Sequence, residues 1–149
     1  MKFVVESAGA VASRVRLGSH VILFDQPPVY GGADAGPSPL DVLVASVAAC
    51  AHYYVSAFLR ARGLPNEDVT VEVDAEKVTR PAPRIARLGL QVHVPESFTE
   101  TELVGMVRAI KRCPAYNTLV SAPAVEMSVD IKRRPRGATP DRRDEHASA

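Results

Sequence analysis

The segment Ser38-Pro-Leu-Asp-Val-Leu-Val-Ala-Ser-Val-Ala-Ala-Cys50-Ala-His-Tyr-Tyr constrains the chain more than any other. Ser38 suits an N-cap, Pro39 the first helical position, and Asp41 the third residue of a capping box. The spacing predicts a helix that runs to Arg62, where Gly63 and Pro65 stop it. That is about 24 residues, or roughly 36 Å. Between Leu40 and Ala51 only Asp41 and Ser46 are polar. A helix apolar all round in a soluble protein has to be wrapped by other protein on every side. Ala45, Ala48, Ala49 and Ala51 permit close approach, so a second copy of the same helix is an expected neighbour.

The rest of the chain supplies too little cover for that helix. With 149 residues it suits one domain, predicted over residues 1–132. Lys2–Glu6, Ala10–Leu17 and His20–Phe24 read as a three-stranded meander separated by Gly9 and Gly18-Ser19. On the second of these, Arg14 and Arg16 share one face and Val15 and Leu17 the other. Asp25 to Pro37, with Gln-Pro-Pro, Gly-Gly and Gly-Pro, reads as a long loop. After the helix, Val69 to Val78 alternates as a strand, and Arg84 to Val94 alternates again with a phase slip near Arg87 that predicts a bulge. Thr99 or Ser97 caps a helix carrying Leu103, Val104, Val107 and Ile110, with Glu100 and Glu102 at its start and Lys111 and Arg112 at its end. A short helical turn from Pro114 to Val120 and a final strand, Val125–Ile131, complete the order β-β-β-α-β-β-α-β. The expected fold class is α+β with antiparallel sheet.

Charge narrows the function. Of 18 Lys/Arg and 17 Asp/Glu, six and three fall in residues 132–149, so the body is slightly acidic. Residues 133–149 are expected to be a disordered polar tail. The body has no basic stripe interleaved with aromatics, which argues against nucleic acid. The longest apolar run, Val42 to Ala51, is too short for a bilayer and follows a helix cap, so neither a membrane nor a signal peptide is expected. The expected location is the cytoplasm, where two cysteines far apart in sequence do not form a permanent staple. No phosphate loop, dinucleotide fingerprint or Gly-x-Ser-x-Gly elbow occurs, and no cofactor is expected. Metal binding is not expected either: Cys50 and His52 point to different helix faces, and His20, His93 and His146 are scattered. His52 reads as a packed or interface histidine, and His93 as a solvated strand residue.

The two cysteines sit in recognisable surroundings. Gly36-Pro-Ser-Pro-Leu-Asp, then a small-residue helix reaching Ala48-Ala-Cys50, then a distant Arg112-Cys113-Pro-Ala-Tyr-Asn117 resembles the OsmC/Ohr superfamily of osmotically inducible and organic-hydroperoxide-resistance proteins. The resemblance covers about residues 1–132. It implies an intertwined homodimer, with antiparallel sheets wrapped around two central helices and each chain's N-terminal strands joined to its partner's sheet. It also implies that Cys50 attacks an organic hydroperoxide, becomes a sulfenic acid, and is resolved by Cys113 to a disulfide. A dithiol reductant such as a lipoyl group would then reduce that disulfide. The glutamate usual in the helix motif is Leu40 here, with Asp41 one step of about 100° further round. That departure places the chain nearer the OsmC-like branch.

Residue chemistry sets conditions on this reading. A reactive cysteine has to be a thiolate. Cys50 lies too deep in its helix to use the N-terminal dipole, and its apolar neighbours push the pKa up. A cation from elsewhere is therefore required: Arg16 or Arg14, with Asp41 as a further activating candidate. Cys113, before Pro114 and after Lys111 and Arg112, has the better local setting. Local electrostatics alone favours Cys113 as attacker, whereas the resemblance assigns Cys50. Leu40, Tyr53, Tyr54, Tyr116 and Asn117 are candidates to line an apolar substrate pocket. The alternatives are a protein of the same fold that binds an apolar small molecule or senses thiol oxidation without efficient turnover, and, more remotely, a Cys50–His52 hydrolase.

Overall fold

In the computed structural model, residues 1–95 and 98–131 are described. The 133–149 tail, with His146, and the alternative cap Ser97 lie outside them. The N-terminal meander is β1 (Val4–Ser7), β2 (Ser13–Leu17) and β3 (His20–Phe24), antiparallel throughout, with Val5 opposite Val15 and Val15 opposite Ile22. The long helix α1 spans Pro39–Arg60. Ser38 caps it as expected: its oxygen accepts the Asp41 N–H at 3.2 Å. Gly63, at φ 67, turns the chain away after it. A second sheet follows, β4 (Thr70–Val78) and β5 (Arg84–His93), paired antiparallel from Thr70–His93 to Val78–Arg84. Glu76 faces Arg87 and Lys77 faces Ile85, so Ala86 is the extra residue of the bulge where the phase slip was read. Helix α2 (Glu100–Ile110) begins on Thr99 with a complete capping box, the Thr99 side chain on the Glu102 N–H and the Glu102 carboxylate on the Thr99 N–H. Helix α3 (Pro114–Val120) begins on Cys113, whose sulfur accepts the Tyr116 N–H at 3.4 Å.

The core lies where α1 crosses β4 and α2: Val55, Leu59, Val69 and Met106 are buried together, with Phe58, Leu64, Val92 and Ile110 packed round them. The buried positions of α1 (Val44, Val47, Ala51, Val55, Leu59) recur every three or four residues, which is one stripe. Here the single chain departs from the expectation of full cover. Only 28% of the most apolar stretch of α1 is buried, and Leu43 and Tyr53 stand 49% and 65% exposed. Ala51 faces the chain's own core, while Ala45 and Ala49 remain open. Length and composition alone would let α1 cross a membrane, but its buried stripe packs on protein.

Two further features share that incompleteness. The main packing partners of α1 are α2, β4 and α3; the β1–β3 sheet has no comparable seat on the body. The expected last strand, Val125–Ile131, does not form within this chain. Val125, Met127, Val129 and Ile131 are at least 77% exposed, and a strand whose apolar face has nothing to bury against has no register imposed on it. The α+β class with antiparallel sheets stands; the closing strand does not.

The loop between β3 and α1 is organised by one carboxylate. Asp25 is 3% exposed. It accepts N–H bonds from Ala35 (3.1 Å), Gln26 (2.8 Å) and Ala33 (2.9 Å), and its own N–H reaches the Pro37 carbonyl at 3.4 Å. Gly32 passes so close to the Gln26 carbonyl that a Cβ there would overlap it. The N–H of Ala35, then those of Gln26 and Ala33, hold the Asp25 carboxyl below the usual carboxylate range. A depressed carboxyl stabilises the fold above its unfolded pKa and loses that contribution as pH falls through its folded value. Thermal melts should therefore show Asp25→Ala well below wild type at pH 6, the gap narrowing from about pH 4 downward; a gap independent of pH would contradict this role.

Candidate active site

Two elements that are remote in sequence converge on a pair of sulfurs. Cys50, in the third turn of α1, is disulfide-bonded to Cys113, the N-cap of α3, with a Cα–Cα distance of 6.2 Å. That separation is ordinary for the bond. The turn after α2 makes the approach possible. The Cys113 N–H bonds the Ile110 carbonyl at 2.8 Å and the Arg112 N–H bonds Ala109 at 2.9 Å, and this aims the new helix at α1. The two cysteines differ in burial. Cys113 is wholly buried, whereas Cys50 is half-buried.

An apolar cavity of about 850 Å³ lies between β5 and helices α2 and α3, and neither cysteine is among its lining residues. Val47, one turn before Cys50, and Tyr116, one turn after Cys113, bring its wall within a turn of each cysteine in sequence, with Leu88, Leu90, Val107 and Leu119 beyond. Lys111 and Arg87 are the cations among its lining residues. Of the five residues read from sequence as pocket candidates, Tyr116 alone lines it. Leu40 sits in the first turn of α1, about 15 Å from Cys50 by helical rise. Tyr53 is exposed and meets Tyr54 edge-on at 5.3 Å; Tyr54 lines a different groove, and Asn117 is exposed. The cavity residues that sequence reading missed had been assigned to core by their strand alternation and helical spacing. That signal was correct for burial and silent about which facing surface is absent from the chain.

The activating candidates are not at the sulfurs within one chain. Arg14 and Arg16 project from the exposed face of β2. Asp41 belongs to the helix start: the Ser38 hydroxyl donates to it at 2.7 Å and Lys77 Nζ lies at 3.0 Å, and these two partners, Ser38 first, hold its carboxyl low. Nine residues, about 14 Å of rise, separate it from Cys50, so it caps α1 and ties it to β4 instead of serving the thiol. The His52 ring nitrogen Nε2 lies 3.2 Å from the Val69 carbonyl, the packed histidine that was expected. His93 lies 3.3 Å from Glu72 on the open side of the hairpin. Among the described residues no group of three or more His, Cys, Asp or Glu is placed to hold a metal.

This architecture has counterparts among solved structures. A protein from Psychrobacter arcticus, described as an osmotic stress induced and detoxification response protein, superposes with a TM-score of 0.70 at 18% identity over 79% of this chain and 87% of its own. An OsmC-like protein from Mycoplasma pneumoniae gives 0.65 at 21% identity, covering 82% and 89%. An organic hydroperoxide resistance protein from Legionella pneumophila gives 0.61 at 18%, covering 80% and 89%. No curated protein matches the sequence. The family model described as OsmC-like protein matches residues 31–128, from the loop that Asp25 organises through α1, both strands of the second sheet and both cysteines. The chain belongs to the OsmC-like protein family.

Proposed function

We propose that the protein is a thiol-dependent peroxidase that reduces organic hydroperoxides. The Cys50 thiolate attacks the peroxide oxygen, the O–O bond breaks, and the alkoxide leaves as an alcohol after taking a proton, so that Cys50 holds a sulfenic acid. The Cys113 thiol then displaces water from it and forms the disulfide. The observation that carries this reading is the bonded Cys50–Cys113 pair, with Cys113 enclosed and Cys50 only partly so, and an apolar cavity whose wall includes Val47 and Tyr116, each three residues from a cysteine. Structural neighbours described as organic hydroperoxide resistance proteins support a redox, stress-related role. A dithiol such as a lipoyl group returns the pair to thiols, and the cytoplasm is the compartment that keeps it reducible.

The working unit is a homodimer. The open side of α1, the unseated β1–β3 sheet and the unpaired segment 125–131 all need a second copy, and the cation that the Cys50 thiolate requires comes with it as Arg14 or Arg16. The reduced protein, given one equivalent of cumene hydroperoxide, should lose both thiols quickly by thiol titration. Thiols that persist would overturn the peroxidase and leave the second reading, binding of an apolar small molecule, which Leu40 in the place of an acid favours.

A further inference from the structure

A second groove, of about 450 Å³, follows the seam between α1 and α2, and neither cysteine lines it. The Phe58 ring fills the space that a Cβ on Gly105 would need, and Cys50 is bonded to Cys113 beyond the end of α2, so the two helices run antiparallel. Small residues from both sides, Ala57 and Ala61 with Gly105 and Ala109, leave the room between them. The rest of the lining is Tyr54, Phe58 and three arginines.

Those three guanidiniums are the unusual feature. Arg62 is fixed twice: its guanidinium carbon lies 3.7 Å from the Phe58 ring centroid, and its Nη1 donates to the Phe58 carbonyl at 3.2 Å. Arg108 stands in the last turn of α2, and Arg112 follows four residues on, in the turn after it. The negative end of α2 favours a base in its last turn. It does not account for a second base one turn later and a third brought from the end of α1, because like charges set side by side repel. Among the described residues, no carboxylate stands within ion-pair distance of any of the three; the ion pairs present involve Lys77, Arg87 and His93. The positive charge is left uncompensated in a body whose acids slightly outnumber its bases.

We propose that this seam binds a soluble organic phosphate, its phosphoryl group on Arg62, Arg108 and Arg112 and its apolar or aromatic portion against Tyr54 and the small residues. Charge selects the phosphate. A carboxylate would leave two of the three cations unmatched, whereas a phosphomonoester brings about two negative charges at neutral pH and oxygens that accept from several donors at once. Guanidinium forks match phosphate oxygens in geometry as well as charge. Arg62 is already held in place by Phe58, so less freedom is lost when a ligand binds. The volume falls within the range of about 300–1,000 Å³ usual for small-molecule sites. The site is independent of whether Cys50 turns over a hydroperoxide.

The test is calorimetric titration of the full-length disulfide form at pH 8 and low salt with phenyl phosphate, phenyl sulfate (the same shape with one charge) and inorganic phosphate. Phenyl phosphate should bind about tenfold more tightly than either, and added salt should weaken it. The Arg108→Gln/Arg112→Gln variant should abolish binding. Arg62→Gln, which leaves α2 untouched, should weaken it separately, so misfolding of one variant does not decide the matter. The pair Arg80→Gln/Arg84→Gln removes the same charge away from the groove and should bind as the wild type does. No binding of phenyl phosphate, the result also if a second copy closes the seam, overturns the proposal. So does equal binding of the sulfate or of inorganic phosphate, binding that survives both groove variants, or binding lost equally in the control pair. Vesicles of phosphatidic acid that take up the protein where phenyl phosphate does not bind would assign the arginines to a lipid surface and overturn it too.

Discussion

Cys50→Ser is expected to reduce hydroperoxide consumption to the background rate and to leave Cys113 titratable as a free thiol after exposure. Cys113→Ser should behave differently: one equivalent of peroxide still reacts, Cys50 remains as a sulfenic acid that dimedone traps, and repeated turnover with a dithiol is lost. The asymmetry comes from burial. Cys113 has none of its surface exposed, while Cys50 is half-buried. The proposed attacker is therefore the less buried of the two. Mass spectrometry of the two variants after one equivalent of cumene hydroperoxide checks this; the adduct on Cys113 instead of Cys50 would reverse the assignment and restore the order that local electrostatics favours.

The second large effect concerns assembly. Ala49→Glu places a carboxylate in the middle of the open, small-residue side of α1, where the proposed partner helix packs. An unpaired charge buried there costs several kcal/mol, more than a dimer of ordinary stability has to spare. Sedimentation should show the wild type at twice the chain mass and the variant as monomer or aggregate. The variant's hydroperoxide activity should fall with the dimer, because in the proposed assembly it is the second copy that brings Arg14 or Arg16 to a thiol. An Ala49→Glu protein that stays dimeric would show that α1 is not the pairing surface.

How much of this was legible in the sequence depended on whether a feature was local. The Ser38 cap, the cap at Thr99 (one of two candidates), the Cys113 helix start, the meander and the bulge read near Arg87 are set by a few neighbouring residues, and each appeared at or next to its expected place. Distance in sequence was no obstacle where a motif marked it, as with Cys50 and Cys113. The Asp25 carboxylate was missed because its three N–H donors lie up to ten residues on, in a loop with no periodicity to read. The pairing of Asp41 with Lys77, 36 residues away, was not legible either, because no local pattern joins the start of α1 to β4. Val125–Ile131 has a strand pattern, but a pattern states which face is apolar and not which molecule covers it.

The bond between α1 and the start of α3 ties together positions 63 residues apart. Cross-linking a loop of that size removes unfolded-state freedom worth about 4 kcal/mol. The disulfide form should therefore melt at a higher temperature than the dithiol form. Calorimetry before and after a reductant is added reads the difference directly, and proteolysis should cut the dithiol form faster than the disulfide form.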